Sequence, residues 1–452
     1  MPSVFIKTYG CQMNQRDSEA VAAEFAARGY VLAPSEAGAD VVLLNTCSVR
    51  DTAEQKALGK MRALAAERRK RRSGVVLGFL GCMAQSRGRE LLEQLPGVSL
   101  ALGTQKFHRV VERVEDLRAG RSEQVCDVGQ EPGSEAAAQE HLLGGNGAPR
   151  AVTAFVSIMQ GCNQPCAFCI VPQTRGRERS RPIADIVAEC RDLAGKGVRE
   201  VTLLGQTVTS YGRGEMPATN GKTPFVQLLE AVTEVDGLER VRFTAPHPKG
   251  YGDDLVEAYG RLPRLCESAH LPAQSGSNRV LRLMRRGYTR EQFLALVARL
   301  RQVQPRLGLS TDLIAGFPGE TEEDFEQTMS LVREAGFDCA FVFKYSPRRD
   351  TVAATMPAQV PLPVREERHA QLLKLVNQTA ACKYAQMIGR EVEVLVEGPS
   401  RKNPARLEGR TRCNKIVVFE GPDQLIGQLL PLRITRASAV TLYGQPASLN
   451  PA

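Results

Sequence analysis

The chain has 452 residues, 42% of them hydrophobic and 24% charged, which is too long for one ordinary core and too apolar for disorder. Lys and Arg number 59 against 50 Asp and Glu, a formal charge of +9 that suits a polyanionic partner, because 46 of the 59 are Arg and guanidinium binds phosphate bidentately. Twelve cysteines are too few for a disulfide scaffold, and the stretch most like a membrane span, Gly74 to Ala84, has eleven residues against the roughly 20 required.

In chain order, residues 1–119 alternate β-rich runs with helical patterns: Val4 to Tyr9, a helix from Asn14 to Arg28, Asp40 to Leu44, a long basic helix from about Ala53 to Arg72, then Val75 to Leu80. The pattern predicts a small three-layer parallel α/β domain. A linker is expected over 120–148, because residues 129 to 149 show neither period nor β-branched side chains. Between 149 and 380 there are six strand-like runs: Val152 to Ile158, Glu200 to Leu204, Arg240 to Phe243, Ser268 to Leu271, Gly308 to Ile314 and Cys339 to Lys344. Helical patterns separate them. Six βα repeats are too few for an eight-stranded barrel, so a partial TIM-like barrel is predicted, with its site at the C-terminal ends of the strands. Residues 381–445 change to short β runs, Glu391 to Val396, Lys415 to Phe419, Leu429 to Thr435 and Ala439 to Tyr443, which predict a small β-barrel.

The strongest local signal is Gly161-Cys162-Asn-Gln-Pro-Cys166-Ala-Phe-Cys169, directly after the first barrel strand. Three thiolates on one tight loop can hold three corners of an iron–sulfur cubane and leave one iron open to a small molecule. Two other readings compete: structural zinc, which wants a fourth ligand that the neighbourhood lacks, and a redox pair of Cys166 and Cys169, which leaves Cys162 without a role. A second triplet is spread out: Cys11, Cys47 and Cys82 each follow a predicted strand, 36 and 35 residues apart. Any one of them alone reads as a buried apolar cysteine. The C-terminal ends of successive parallel strands share one edge, however, so three cysteines at that position can meet. Cys126, Cys190, Cys266, Cys339, Cys382 and Cys413 share no spacing and read as structural. No signal peptide precedes Ser-Val-Phe-Ile-Lys-Thr-Tyr, and a cytoplasmic setting is expected, where clustered cysteines tend to be ligands.

The C-x3-C-x2-C loop heading six βα repeats resembles the radical S-adenosylmethionine (SAM) enzymes. Tyr9-Gly-Cys-Gln-Met-Asn14, Asn45-Thr-Cys-Ser-Val-Arg50 and Gly81-Cys-Met-Ala-Gln85 resemble the N-terminal domain of the methylthiotransferases within that superfamily, and Gly409 to Phe419 resembles the RNA-binding TRAM domain. With His270 to Ser277 and Phe343 to Arg348, the likeness covers nearly the whole chain and is closest to the MiaB-type branch acting on isopentenyladenosine. The resemblance implies two [4Fe-4S] clusters. One, on Cys162, Cys166 and Cys169, chelates SAM and cleaves it to a 5′-deoxyadenosyl radical; the other, auxiliary, on Cys11, Cys47 and Cys82, holds the sulfur. It implies Phe168 beside the adenine of SAM, and further SAM contacts at Gly205, Gln206, Ser275, Gly316 and Gly319. Leu203-Leu204-Gly205-Gln206 departs from the common Gly-Gly-Glu of the family. The implied reaction is methylthiolation of carbon 2 of isopentenyladenosine 37 in tRNA, consuming two SAM molecules. Sister enzymes act on threonylcarbamoyladenosine or on an aspartate of a ribosomal protein. The alternative of another class is a non-catalytic iron–sulfur RNA-binding protein, which would form no deoxyadenosine.

Basic residues are bunched. Eight lie between Lys56 and Arg72; Arg175, Arg177, Arg179 and Arg181 follow the cysteine loop; and Arg279, Arg282, Arg285, Arg286 and Arg290 form an acid-free stretch. A lone run of this kind is usually a solvated face, but a run in every regular region predicts an RNA footprint. In the TRAM-like tail the predicted RNA contacts are Arg401, Lys402, Arg410, Arg412, Asn414 and Lys415. The expected partners are a tRNA anticodon stem-loop and an electron donor such as flavodoxin or ferredoxin, with no membrane and a monomeric chain.

Overall fold

A computed structural model describes residues 1–48, 51–71, 74–131, 133–134, 141 and 151–446. The N-terminal region runs β1 (Ser3–Tyr9), α1 (Gln12–Ala27), β2 (Val31–Leu32), β3 (Val41–Thr46), α2 (Asp51–Arg71), β4 (Val76–Gly81), α3 (Cys82–Gln94), β5 (Leu100–Leu102), α4 (Val110–Arg118) and β6 (Val125–Asp127). Its six strands form one parallel sheet in the order β2-β1-β3-β4-β5-β6. β3 and β4 are buried at every residue, as expected of strands covered on both faces. α1 and α4 pack Val21, Phe25, Val110 and Val114 on one face, and α2 and α3 pack Leu58, Met61, Leu91 and Leu92 on the other. These are the three layers expected. Strand order reverses between β1 and β3, and this switch point opens a crevice beyond the C-terminal strand ends.

The sheet reaches further along the chain than the sequence pattern suggests. β6 falls in the segment expected to be linker and pairs with β5, Leu100 opposite Val125. Three residues are too few to show a period, and the open edge of β5 is what makes them a strand. Most of the Gly- and Gln-rich remainder of that segment lies outside the described residues, as does Arg72 at the end of the basic run.

The second region continues β7 (Thr153–Ser157), β8 (Met159–Gln160), α5 (Val171–Arg175), β9 (Arg179–Ser180), α6 (Ile183–Gly195), β10 (Glu200–Leu204), α7 (Pro224–Thr233), β11 (Arg240–Phe243), α8 (Asp253–Arg261), β12 (Ser268–His270), α9 (Asn278–Leu283), α10 (Arg290–Val303), β13 (Gly308–Ala315), α11 (Glu322–Ala335), β14 (Cys339–Lys344) and α12 (Leu362–Ala385). All six expected barrel strands are present and parallel, in two sheets, β7-β10-β11 and β12-β13-β14, joined by a bridge between Val241 and Leu265. The antiparallel pair β8–β9 closes the base of the cysteine loop. α12 was not anticipated and crosses the boundary placed at 380. It buries only Arg368, Leu372, Val376, Ala380 and Tyr384, spaced four apart, a stripe too narrow to stand out in sequence.

The tail is a closed barrel of β15 (Glu391–Ser400), β16 (Asn403–Thr411), β17 (Ile416–Phe419), β18 (Leu429–Ala437) and β19 (Leu442–Pro446), in the order β15-β16-β17-β19-β18. β16 carries Pro404 and Gly409 and no internal Val or Ile, which hides it from a propensity reading. Among the described residues no helix is long and apolar enough to cross a membrane.

Candidate functional site

The spread cysteines meet because the sheet register levels the strand ends that precede them. Tyr9 lies opposite Thr46, and Thr46 opposite Gly81, so Cys11, Cys47 and Cys82 emerge together at the switch point. The backbone N–H of Cys47 donates to the Tyr9 carbonyl at 2.9 Å. Cys11 caps α1, and its thiol lies 3.2 Å from Asn14 Oδ1. Asn14 and Asn45, both fully buried, bond to each other and tie the start of α1 to the end of β3. Gly81 has φ +88°, and a Cβ there would lie 2.3 Å from Asn45 Oδ1, so only glycine lets Cys82 open α3 at this spot. A hydrogen bond from Cys47 outweighs burial and, helped by the Arg175 charge, holds the Cys11 thiol below its ordinary range. Burial pushes the Cys82 thiol up, against the pull of the same Arg175.

The second triplet sits on the loop between β8 and β9. Gly161 has φ +84°, and a Cβ would fall 1.9 Å from the Arg177 carbonyl oxygen. Its N–H donates to Gln206 Oε1 at 2.6 Å. The Cys162 thiol lies 3.2 Å from the Thr207 hydroxyl, and Arg286 Nη1 donates to Cys166 Sγ at 3.2 Å. Arg286 is buried, donates also to the Pro272 carbonyl and lies over the Tyr288 ring. Burial pushes the Cys169 thiol up to about 12. Three thiols and a buried guanidinium at each site suit an anionic iron–sulfur cluster, whose capping thiolates bind different irons. His247 stands near Arg286 with its ring edge toward Tyr288. Lys249 N–H donates to its Nδ1, so the neutral ring carries its proton on Nε2, which is buried and unpartnered among the described residues. Burial and the charges of Arg286, Lys249 and Arg213 push the pKa of this ring down to about 3.

Residues 156–332 match the radical SAM superfamily, residues 3–103 the family described as uncharacterized protein family UPF0004, and residues 385–447 the TRAM domain. A tRNA-2-methylthio-N(6)-dimethylallyladenosine synthase of Opitutus terrae is 55% identical, the match covering 98% of this chain and 97% of the relative. Its namesake in Akkermansia muciniphila is 51% identical over 99% of each. The chain belongs to the tRNA-2-methylthio-N(6)-dimethylallyladenosine synthase family. Membership of the radical SAM superfamily implies a [4Fe-4S] cluster and SAM for this synthase-family chain, and the matched residues include the Cys162–Cys169 loop. Among solved structures, the radical SAM methyltransferase TsrM of Kitasatospora setae, with cobalamin and a [4Fe-4S] cluster bound, shares the fold at TM-score 0.58 and 13% identity, over 78% of this chain and 77% of that one.

The residues expected to touch SAM in this synthase-family fold divide into two groups. Phe168 packs edge-on against Phe317 at 6.4 Å beside the cysteine loop. Gly316 and Gly319, at φ +74° and +81°, shape the turn after β13, where the Gly316 N–H donates to Glu320. Gly205 packs on Met159. The side chains of Gln206 and Ser275 are used inside the protein: Gln206 fixes Gly161, and the buried Ser275 hydroxyl accepts from Ser277 N–H and meets Thr328. They position loops.

Sequence charge proves a poor guide to surface charge. Arg175 and Arg181 are buried, Arg175 pairing with Asp17 across the first two domains and Arg181 with Glu189 inside the second, and Arg279 and Arg290 pair with Asp324 and Glu334. In the TRAM barrel, Arg401 and Lys402 are exposed at the β15–β16 turn, whereas Arg410 pairs with Glu397 and bonds the exposed Asn414. Two other expected RNA contacts are engaged within the protein: Arg412 grips Glu267 and the carbonyls of Pro263 and Leu265, and Lys415 pairs with Asp338. Arg242 completes this seam by donating to the carbonyls of Thr411 and Arg412, both at 2.8 Å. The turn from Thr411 to Lys415 thus docks at the N-terminal ends of the core strands, opposite the cysteine loop.

Proposed function

We propose that this chain transfers a methylthio group to carbon 2 of isopentenyladenosine (N6-dimethylallyladenosine) at position 37 of tRNA, using two SAM molecules and two [4Fe-4S] clusters. The observation that carries this reading is the pair of three-thiol sites facing one buried interface. α5 begins two residues after Cys169 and ends at Arg175, whose guanidinium reaches the Cys82 thiol. When bound, the clusters supply the electron that cleaves SAM and the sulfur that is methylated and transferred. The protein's own groups hold the parts. Thr207 and Arg286 orient Cys162 and Cys166, and the network of Asn14 and Asn45 fixes the strand ends from which the first triplet emerges.

The extruded base is assigned to the strands β12, β13 and β14. There His270 lies 3.0 Å from the Ser310 hydroxyl and 3.3 Å from Asp312, with its edge toward the exposed Phe341. Phe341 offers a stacking face and the His270–Asp312 pair a hydrogen-bonding edge. Arg401 and Lys402, left exposed on the TRAM barrel, meet phosphates of the anticodon stem-loop. A flavodoxin or ferredoxin supplies electrons, and the chain works as a monomer in the cytoplasm. Expression in a bacterium lacking its own enzyme, followed by mass spectrometry of tRNA nucleosides, tests the reaction. The 2-methylthio derivative of isopentenyladenosine should appear. Unmodified isopentenyladenosine, or methylthiolation of threonylcarbamoyladenosine instead, would overturn the assignment.

A further inference from the structure

Arg175 belongs to the radical SAM domain by sequence, six residues after Cys169, yet its side chain lies in the cysteine site of the other domain. It is 2% exposed, and its Nη2 donates to Asp17 Oδ2 at 2.6 Å. Its charge bears on both Cys11 and Cys82. The guanidinium reaches toward the Cys82 thiol, and Nη1 is buried without an acceptor at close hydrogen-bond distance among the described residues. An orphaned donor on a buried cation is costly, and its persistence points to an acceptor supplied by a bound group. The guanidinium is not free to swing away. Thr104 Oγ1 donates to the Thr174 carbonyl at 2.6 Å and Gln105 Nε2 to the Arg175 carbonyl at 3.4 Å, so the N-terminal domain clasps the end of α5.

Resting on the reading that Cys11, Cys47 and Cys82 hold the auxiliary cluster, we propose that Arg175 is a positioning residue for that cluster, contributed by the radical SAM domain, with Nη1 donating to its thiolate and sulfide surface. The auxiliary site is then composite and is complete only when the two domains are docked. The guanidinium charge makes the cluster easier to reduce, since a nearby cation stabilises the added electron. The segment from Cys169 to Arg175 also limits the separation of the two sites. Six residues reach about 20 Å when fully extended and less where helical.

The test uses the full chain with Cys162, Cys166 and Cys169 all replaced by Ala, so that only the auxiliary cluster forms. In that background Arg175→Gln should lower the midpoint potential in an anaerobic redox titration followed by electron paramagnetic resonance, and should speed iron loss to a chelator several-fold. Arg175→Lys, which keeps the charge, should restore most of the potential and guards against a folding defect. Asp17→Asn removes a negative charge from the same place and should move the potential in the opposite direction. An unchanged potential in Arg175→Gln overturns the inference. So do shifts of the same sign in Arg175→Gln and Asp17→Asn, which would indicate a loosened interface instead. A background that binds no iron overturns the auxiliary-cluster reading itself, and the inference with it.

Discussion

The two cysteine triplets are assembled by opposite routes. Cys162, Cys166 and Cys169 lie within eight residues of one loop, clamped at its base by β8 and β9 and turned by Gly161. Cys11, Cys47 and Cys82 span more than seventy residues and meet only because β1, β3 and β4 pair in register. The loop site depends on local backbone geometry, whereas the sheet site depends on the whole domain fold. Damage should therefore spread differently from each.

The sharpest separation comes from single ligands. Cys166→Ala should reduce deoxyadenosine formation from SAM by at least ~10³-fold, whereas Cys47→Ala should leave it within a few-fold while abolishing the methylthio product. High-performance liquid chromatography of both products from reduced, anaerobic enzyme reads the split, and equal loss of deoxyadenosine in the two variants would erase the contrast. Next in size is the backbone. Gly161→Ala puts a Cβ against the Arg177 carbonyl at positive φ, and should cost about 4 kcal/mol or displace the loop. Denaturant unfolding with an iron assay would show it. Gly81→Ala meets the Asn45 side chain instead, so its damage should fall on the sheet site and spare SAM cleavage.

Much of this contrast was legible in the sequence and part was not. The six barrel strands stand out as short runs recurring between helical patterns, and β10, β11 and β14 have the predicted ends. The switch-point triplet is visible as three cysteines that each follow a strand. α12 escapes because its buried stripe is one residue wide. The charge runs misled for a different reason. Arg175 and Asp17 are 158 positions apart, and Arg412 and Glu267 are 145 apart, so the partners that neutralise these arginines become visible only after folding. Arg175 and Arg286 each read as part of an RNA-binding stretch; His247 carried no motif at all.

The seam gives a medium-sized test of that lesson. Arg412→Ala breaks a partly buried ion pair and two carbonyl contacts, so it should cost about 2 kcal/mol in stability. Replacing Arg401 and Lys402 should leave thermal stability unchanged but weaken tRNA binding and flatten its salt dependence by about one unit of slope per phosphate contact. If Arg412→Ala flattened the salt dependence instead and left stability alone, the seam assignment would be wrong.

The smallest effect concerns the interface between the cluster domains. His141 turns one ring nitrogen to Glu19 and the other to Glu189, at 3.2 and 2.7 Å. Burial alone would lower its pKa, but the two carboxylates more than offset this and raise it above the ordinary 6.5. The protonated ring therefore stabilises docking fully below about pH 6.5, and that contribution fades as pH rises through the higher folded value. His141→Gln should flatten the pH dependence of the melting temperature above about pH 6.5. An unchanged profile would mean that the ring stays neutral.

The central claim is that one chain holds two clusters on two independent triplets, and anaerobic reconstitution with iron and sulfide analysis tests it most directly. The wild-type chain should bind twice the iron of either Cys11/Cys47/Cys82→Ala or Cys162/Cys166/Cys169→Ala, with a [4Fe-4S] Mössbauer signature retained in both variants. A wild type that binds no more iron than one of the triple variants, or a triple variant that loses all of it, would contradict the account.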